Sequence, residues 1–268
     1  MSTPATPTNK YNLYLLFIAG LGGLLYGVDV GIIAGALPFL EQTSGFSAQQ
    51  IGTVVAAVLL GSVLSSLFAG ALADLFGRKK IMLLSALLFI LSVPIICLSP
   101  SFEGLVAGRL LQGISGGLIG VVVPLYLAEC LGASSRGKGT GMFQFLLTVG
   151  LVFAALIALY FGYQVDQLEM SGATAETLFD AKKNAWKMIF WVSVIPGIVF
   201  FIGGFFVTES PRWLFRKGRK EEARAALTKS SGEAGADTIM KEMEETEAGA
   251  NQAKAEGEPA AAGSIFQR

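Results

Sequence analysis

The chain contains no histidine, little charge and little cysteine. Of its 268 residues, 15% are Asp, Glu, Lys or Arg, against roughly 25% in soluble globular domains. That is too little charge to cover a surface that faces water. The absence of His removes the side chain that most often serves as a general base near neutral pH, and with it the commonest metal ligand. Lys and Arg balance Asp and Glu to a formal net charge of +0, so no basic field is available for a nucleic-acid backbone. The two cysteines, Cys97 and Cys130, lie in or beside apolar runs, which implies small buried hydrophobes rather than a disulfide framework. No metal-ligand cluster and no nucleotide loop are evident. An integral-membrane enzyme has no support, and no cofactor is expected.

What the chain does have is apolar length. Hydrophobic residues make up 53% of it, and the mean hydropathy is +0.59. Charge-free stretches at 11–28, 51–73, 81–102, 110–128, 139–165 and 188–208 each approach the ~20 residues that cross ~30 Å of hydrocarbon as a helix. The pattern predicts an all-α membrane protein: a tail over 1–10, a six-helix transmembrane bundle over 11–208, and amphipathic helices with a mobile tail over 209–268. Within that last segment, 219–229 and 237–247 are expected as short surface helices. The polar N-terminus has no Arg/Lys-rich start and no small-residue cleavage site, so the first helix is expected to remain in the protein.

Basic residues set the orientation. Arg78, Lys79 and Lys80 follow the second span, Arg136 and Lys138 the fourth, and Arg212, Arg216, Lys217, Arg219 and Lys220 the sixth. Loops at 41–50 and 99–103 carry no Lys or Arg, and a longer loop is expected at 162–185. By the positive-inside rule both termini are cytoplasmic, and the plasma (inner) membrane is the expected location. Gly22-Gly23-Leu24-Leu25-Tyr26-Gly27 in the first span also echoes Gly116-Gly117-Leu118-Ile119-Gly120 in the fourth. The two spans run in opposite directions, as an inverted repeat requires.

Two ionisable residues interrupt the apolar spans. An acid or base near a helix centre costs ~2.5–3.5 kcal/mol on insertion scales, so Asp29 and Arg109 need a reason to be there. Both fall in the outer half by residue count, where pairing would lower the desolvation cost and couple the acid's protonation to a helix contact. The alternative is that Arg109 snorkels to the headgroups while Asp29 caps a helix break near Gly27 and Gly31. Gly113, Gly116, Gly117 and Gly120 form a small-residue face that permits close helix approach, and Pro124 should kink the same span. Gln144 and Thr148, one turn apart in the fifth span, could hydrogen-bond a sugar hydroxyl or only a neighbouring helix.

Several motifs together resemble the sugar porter family of the major facilitator superfamily, from Tyr11 to about Arg224. They are Gly27-Val28-Asp29 through Leu37; Gly70-Ala71-Leu72-Ala73-Asp74-Leu75-Phe76-Gly77-Arg78-Lys79; Gly108-Arg109 through Pro124-Leu125-Tyr126-Leu127-Ala128-Glu129 to Arg136-Gly137; and Glu209-Ser210-Pro211-Arg212-Trp213-Leu214. The resemblance implies the N-terminal half of that fold, with 3+3 inverted repeats, and transport of a monosaccharide, a hexose or pentose, by proton symport. Asp29 and Arg109 would then be the proton-coupling pair, and Gln144, with Thr148 beside it, would contact sugar. Asp74, Arg78, Glu129, Arg136, Glu209 and Arg212 would form the cytoplasmic gating network. Three positions depart from the pattern: Leu75 replaces an often basic residue, Leu151 stands where some symporters have a second glutamine, and Thr208 replaces a usual proline. Because family members have twelve spans, a second six-helix half, supplied by a C-terminal half or a second copy, is expected as partner. The alternative is a non-transporting half: a sensor, assembly subunit or truncated product.

Overall fold

A computed structural model describes residues 10–99 and 101–255, with the side chains of 133–136 and 250–255 outside that description. The expectations for the tail before Lys10 and for the mobile tail beyond Ala255 lie outside the described residues. Those described are helical apart from short connections: α1 Lys10–Ser44, α2 Ala48–Phe76, α3 Arg78–Leu98, α4 Phe102–Cys130, α5 Ala133–Met170, α6 Ala175–Val192, α7 Val194–Phe206, α8 Pro211–Arg216 and α9 Lys220–Ala255. Among the described residues six spans are long and apolar enough to cross a membrane, the last being α6 and α7 taken together over Ala175–Phe206.

Side-chain caps set several helix starts. Ser47 and Gln50 form a capping box before α2, with Ser47 Oγ accepting from Gln50 N at 3.3 Å and Gln50 Oε1 accepting from Ser47 N at 3.0 Å. Ser101 Oγ caps α4 by accepting from Gly104 N at 3.2 Å, and Thr174 Oγ1 caps α6 by accepting from Thr177 N at 3.3 Å. Each bond satisfies an N–H that the helix itself leaves free. Between α2 and α3 a single residue makes the turn: Gly77 has φ 102, a conformation that side chains with a Cβ rarely adopt.

Two features differ from the sequence expectation. Residues 162–185 are not a long loop, because α5 continues to Met170 and α6 begins at Ala175. Charge-free runs mark the stretch in hydrocarbon, whereas a helix can continue into water with charges on one face. In α6, Ala185, Trp186, Ile189 and Phe190 are buried while Asp180 and Lys183 are exposed. The sixth span is also broken at Ser193. Pro196 has no N–H to donate to the Val192 carbonyl, and its ring crowds that oxygen, so the chain restarts as α7.

The main helix pairings are α1 with α5 and α2 with α4, followed by α3 with α4 and α1 with α6. Exchanging α1 with α4, α2 with α5 and α3 with α6 maps this set of pairings onto itself, which is the signature of a 3+3 inverted repeat. Glycines make the two principal contacts equivalent. A Cβ on Gly23 or Gly27 would overlap the carbonyl oxygens of Phe143 and Leu147 in α5, and one on Gly113 or Gly117 would overlap those of Val58 and Ser62 in α2. The small face expected along α4 therefore divides. Gly113 and Gly117 meet α2, while Gly116 and Gly120 face Tyr26 in α1.

The chain divides into two compact units between Thr208 and Glu209. In the second unit, Trp213, Leu214 and Phe215 of α8 pack with Ala223 and Ala226 of α9. At Gly232, with φ 75, α9 turns back on itself. Arg224 meets Asp237 at 2.8 Å and Lys220 meets Glu244 at 3.0 Å across the resulting hairpin. Its arms cover the two segments expected as short helices. Arg219 donates two hydrogen bonds to Glu222, and these hold that carboxyl below its ordinary range.

Candidate functional site

Asp29 and Arg109 are both enclosed within the six-span unit, at 3% and 0% exposure. Burial is possible because α4 has no side chain where Asp29 approaches: a Cβ on Gly116 would lie 2.8 Å from Asp29 Oδ2. Arg109 is enclosed by Gln112, whose Oε1 accepts from Nη1 at 2.7 Å, and by Phe190, whose ring centroid lies 5.7 Å from the guanidinium carbon. The latter is cation–π spacing.

The two charges do not form an ion pair. Asp29 sits opposite Gly116, seven residues along α4 from Arg109, or about 10 Å at the helical rise. They interact through space as unlike charges, and Arg109 spends a donor on Gln112. The equal depth expected from residue counting fails because Asp29 approaches α4 at Gly116, about two turns further along that helix than Arg109. Around this pair, Asp29 Oδ1, Gln112 Nε2, and Arg109 Nε and Nη2 are buried without a hydrogen-bond partner. Native interiors rarely leave such groups unsatisfied, so their concentration here marks a site.

Gln144 and Thr148 lie on the exposed side of α5. The Thr148 hydroxyl donates to the Gln144 carbonyl oxygen at 3.2 Å, so it is bonded to its own helix, and the Gln144 side chain stands on an open face. The structure does not bring these two into the Asp29–Arg109 enclosure.

At the far end of the bundle, three residues of the expected gating network do meet. Arg78, with a side chain 2% exposed, donates from Nη2 to Asp74 Oδ1 at 2.6 Å and to Glu129 Oε1 at 2.9 Å. Its Nε lies 2.7 Å from Glu129 Oε2, and Nη1 donates to the Ala73 carbonyl at 3.0 Å. One guanidinium thus ties the end of α2 to the start of α3 and the end of α4. Beside it Lys79 Nζ donates to the Phe205 carbonyl at 2.7 Å, satisfying an oxygen in the last turn of α7. The Arg136 side chain lies outside the described residues. Glu209 and Arg212 belong to the second unit, where Glu209 Oε1 accepts from Ser210 N at 2.8 Å.

Sequence reasoning overlooked Gln112, although its signal was available. It is a polar residue in an apolar run, three positions from Arg109 and four from Gly116, which are the spacings of one helix face.

Comparisons with known proteins agree with this architecture. The family model described as "Sugar (and other) transporter" matches residues 15–267. The glucose transporter GlcP of Staphylococcus epidermidis is 32% identical over 240 residues, which is 89% of this chain and 50% of that protein. The arabinose-proton symporter of Escherichia coli is 33% identical over 220 residues, 82% of this chain and 43% of that protein. Among solved structures, the proton:xylose symporter XylE, of the major facilitator superfamily, superposes with a TM-score of 0.75 at 26% identity, over 87% of this chain and 52% of that one. This chain spans about half the length of the relatives it matches. The chain is an integral membrane protein with the major facilitator fold and belongs to the sugar transporter family.

Proposed function

We propose that this chain supplies the N-terminal half of a proton-coupled monosaccharide transporter that works by alternating access, with Asp29 as the proton-carrying acid and Arg109 as the base that responds to it. The observation that carries this reading is Asp29 itself: a carboxyl 3% exposed, in a membrane span, with one oxygen lacking a hydrogen-bond partner and no ion pair to fix its charge. Such a group is costly unless it is used. When Asp29 is ionised, attraction to Arg109 draws α1 and α4 together; protonation removes that attraction and frees the helices to rock. The sugar contacts assigned to this half are Gln144 and Thr148 on the open face of α5. Asp74, Arg78 and Glu129, with Arg136, Glu209 and Arg212, are assigned to the cytoplasmic gate.

The cavity needs a second wall. Leu60, Leu64, Leu67 and Phe68 of α2 and Phe145 and Leu156 of α5 are all strongly exposed, and a second six-helix half would cover part of these faces. Both termini lie in the cytoplasm on this reading, at the plasma membrane, because the basic residues cluster at the Arg78 end of the bundle and in the second unit.

The test is uptake of labelled glucose, xylose and arabinose in cells that lack their own sugar porters. The cells express this chain alone or with the C-terminal half of a family member. Accumulation that a protonophore abolishes is expected with the second half present, and Asp29→Asn should lose accumulation while sugar exchange persists. Undiminished accumulation in Asp29→Asn would overturn the coupling role. Absence of uptake from correctly inserted halves would favour a non-transporting subunit.

A further inference from the structure

Arg109 carries N–H donors and no acceptor. The carboxamide beside it is therefore oriented: Gln112 Oε1 takes the Nη1 hydrogen bond at 2.7 Å, which turns Nε2, a pure donor, away from the guanidinium. That Nε2 is buried without a partner, and so is Oδ1 of Asp29, a natural acceptor. Gln112 is 0% exposed, and a buried donor left unsatisfied is unfavourable. Along α4, Gln112 lies one turn from Gly116, the residue whose missing Cβ makes room for Asp29 Oδ2. Residues four apart on a helix share a face, with Cβ atoms about 5–6 Å apart. A buried donor without an acceptor thus lies one helical turn along α4 from the glycine against which Asp29, a buried acceptor without a donor, is packed.

Resting on the reading of Asp29 as the proton-carrying acid, we infer that Gln112 is the positioning residue that links Arg109 to Asp29, its Oε1 holding the guanidinium and its Nε2–H donating to the ionised carboxylate. The polarity runs one way, since the guanidinium can only donate, the amide accepts at one end and donates at the other, and the carboxylate can only accept. When Asp29 takes a proton from the medium, a neutral carboxyl replaces the anionic acceptor and the bond from Nε2 weakens. The amide neither gains nor loses a proton. Helices α2, α4, α5, α6 and α7 all pack on α1, and among the described residues Arg109 is the charged group that acts on Asp29. In the structure this second bond is open, with Nε2 and Oδ1 both unpartnered; closing it gives the Arg109 charge a bonded route to an acid too distant for an ion pair.

The test is pH-difference infrared spectroscopy of the whole chain in liposomes, following the carbonyl stretch of protonated carboxyl groups. Asp29→Asn identifies the Asp29 band by removing it. Gln112→Met keeps the length and volume of the side chain without its amide, and Gln112→Asn retains an amide that is one methylene shorter. We expect Gln112→Met to move half-protonation of the Asp29 band upward by about one pH unit, a tenfold change in proton affinity. Gln112→Asn should restore part of that change, and Arg109→Gln should shift the band less on the Gln112→Met background than alone. A band that Asp29→Asn removes but Gln112→Met leaves in place would overturn the link while leaving the acid's role intact. If Asp29→Asn removes no titrating band, the coupling role of Asp29 fails and the link falls with it.

Discussion

Tyr11 and Thr208, 197 positions apart, are joined by two hydrogen bonds: the Thr208 N–H donates to Tyr11 Oη at 2.8 Å, and the two hydroxyls meet at 2.8 Å. Tyr126 Oη donates to the Thr208 carbonyl at 2.7 Å. One residue thus uses its amide, hydroxyl and carbonyl to tie the start of α1 and the end of α4 to the chain leaving α7. The family pattern usually places proline here, which has neither an N–H nor a hydroxyl. In this chain the departure adds a clamp.

Thr208→Pro should therefore destabilise the bundle although it restores the family residue. Each lost hydrogen bond is worth about 0.5–1.5 kcal/mol net, so the pair accounts for ~1–3 kcal/mol. Tyr11→Phe removes the same two bonds, and the double variant should lose little more than either single one. Thermal unfolding in detergent, followed by tryptophan fluorescence, reads all three. A Thr208→Pro variant as stable as the parent would show that the clamp contributes nothing.

Two glycines separate close helix contact from open helix surface. A Cβ on Gly27 would overlap the backbone carbonyl of Leu147, whereas nothing lies within 4 Å of one on Gly162. A carbonyl held in its own helix cannot swing aside as a side-chain tip can. Gly27→Ala should force α1 away from α5 and cost ~1–3 kcal/mol, the range for overpacking. Gly162→Ala should instead stabilise its exposed helix by roughly 0.5–1 kcal/mol. Equal melting temperatures for the two variants would disprove the backbone contact.

What could be read from the sequence followed the hydrocarbon. Runs without charge located the six spans, whereas the grouping of Asp74, Arg78 and Glu129, which meet in three dimensions, came from the family resemblance and not from their spacing. Helix ends were harder, because beyond the bilayer a helix can carry charges. Residues 162–185 therefore read as a loop. Asp29 and Arg109 looked level by residue count, but Asp29 meets α4 at Gly116, about two turns beyond Arg109. The burial of Asp29 was also hidden, since it depends on Gly116 having no Cβ, a property of the partner helix. Gln144 and Thr148 share a face by periodicity, but periodicity does not say which neighbour that face meets.

The Arg78 cluster should respond unequally to losing its two acids. Asp74 is 58% exposed and Glu129 8% exposed, around an Arg78 side chain at 2%. Water can replace the first acid, so Asp74→Ala should cost no more than about 1 kcal/mol, as exposed pairs do. Glu129→Ala takes both oxygens from a buried guanidinium, for which a loss of ~3–5 kcal/mol is the usual scale. Chemical denaturation of the purified chain in mixed micelles compares them directly. The opposite ranking would mean that the exposed acid carries the cluster.

The hairpin of α9 depends on one backbone conformation. Gly232 has φ 75, and a residue with a Cβ in the left-handed region is disfavoured by roughly 1–2 kcal/mol. The pairs that bridge the arms, Arg224 with Asp237 and Lys220 with Glu244, have about half of each side chain exposed or more, and exposed pairs contribute little. Gly232→Ala should thus favour a continuous straight helix and draw the arms apart. Cysteines introduced by Arg224→Cys and Asp237→Cys would report this, in a background where Cys97 and Cys130 are replaced by alanine. Disulfide formation between them should be rapid with Gly232 present and several-fold slower in Gly232→Ala. An unchanged rate would show that the bridging pairs, rather than the turn, hold the hairpin closed.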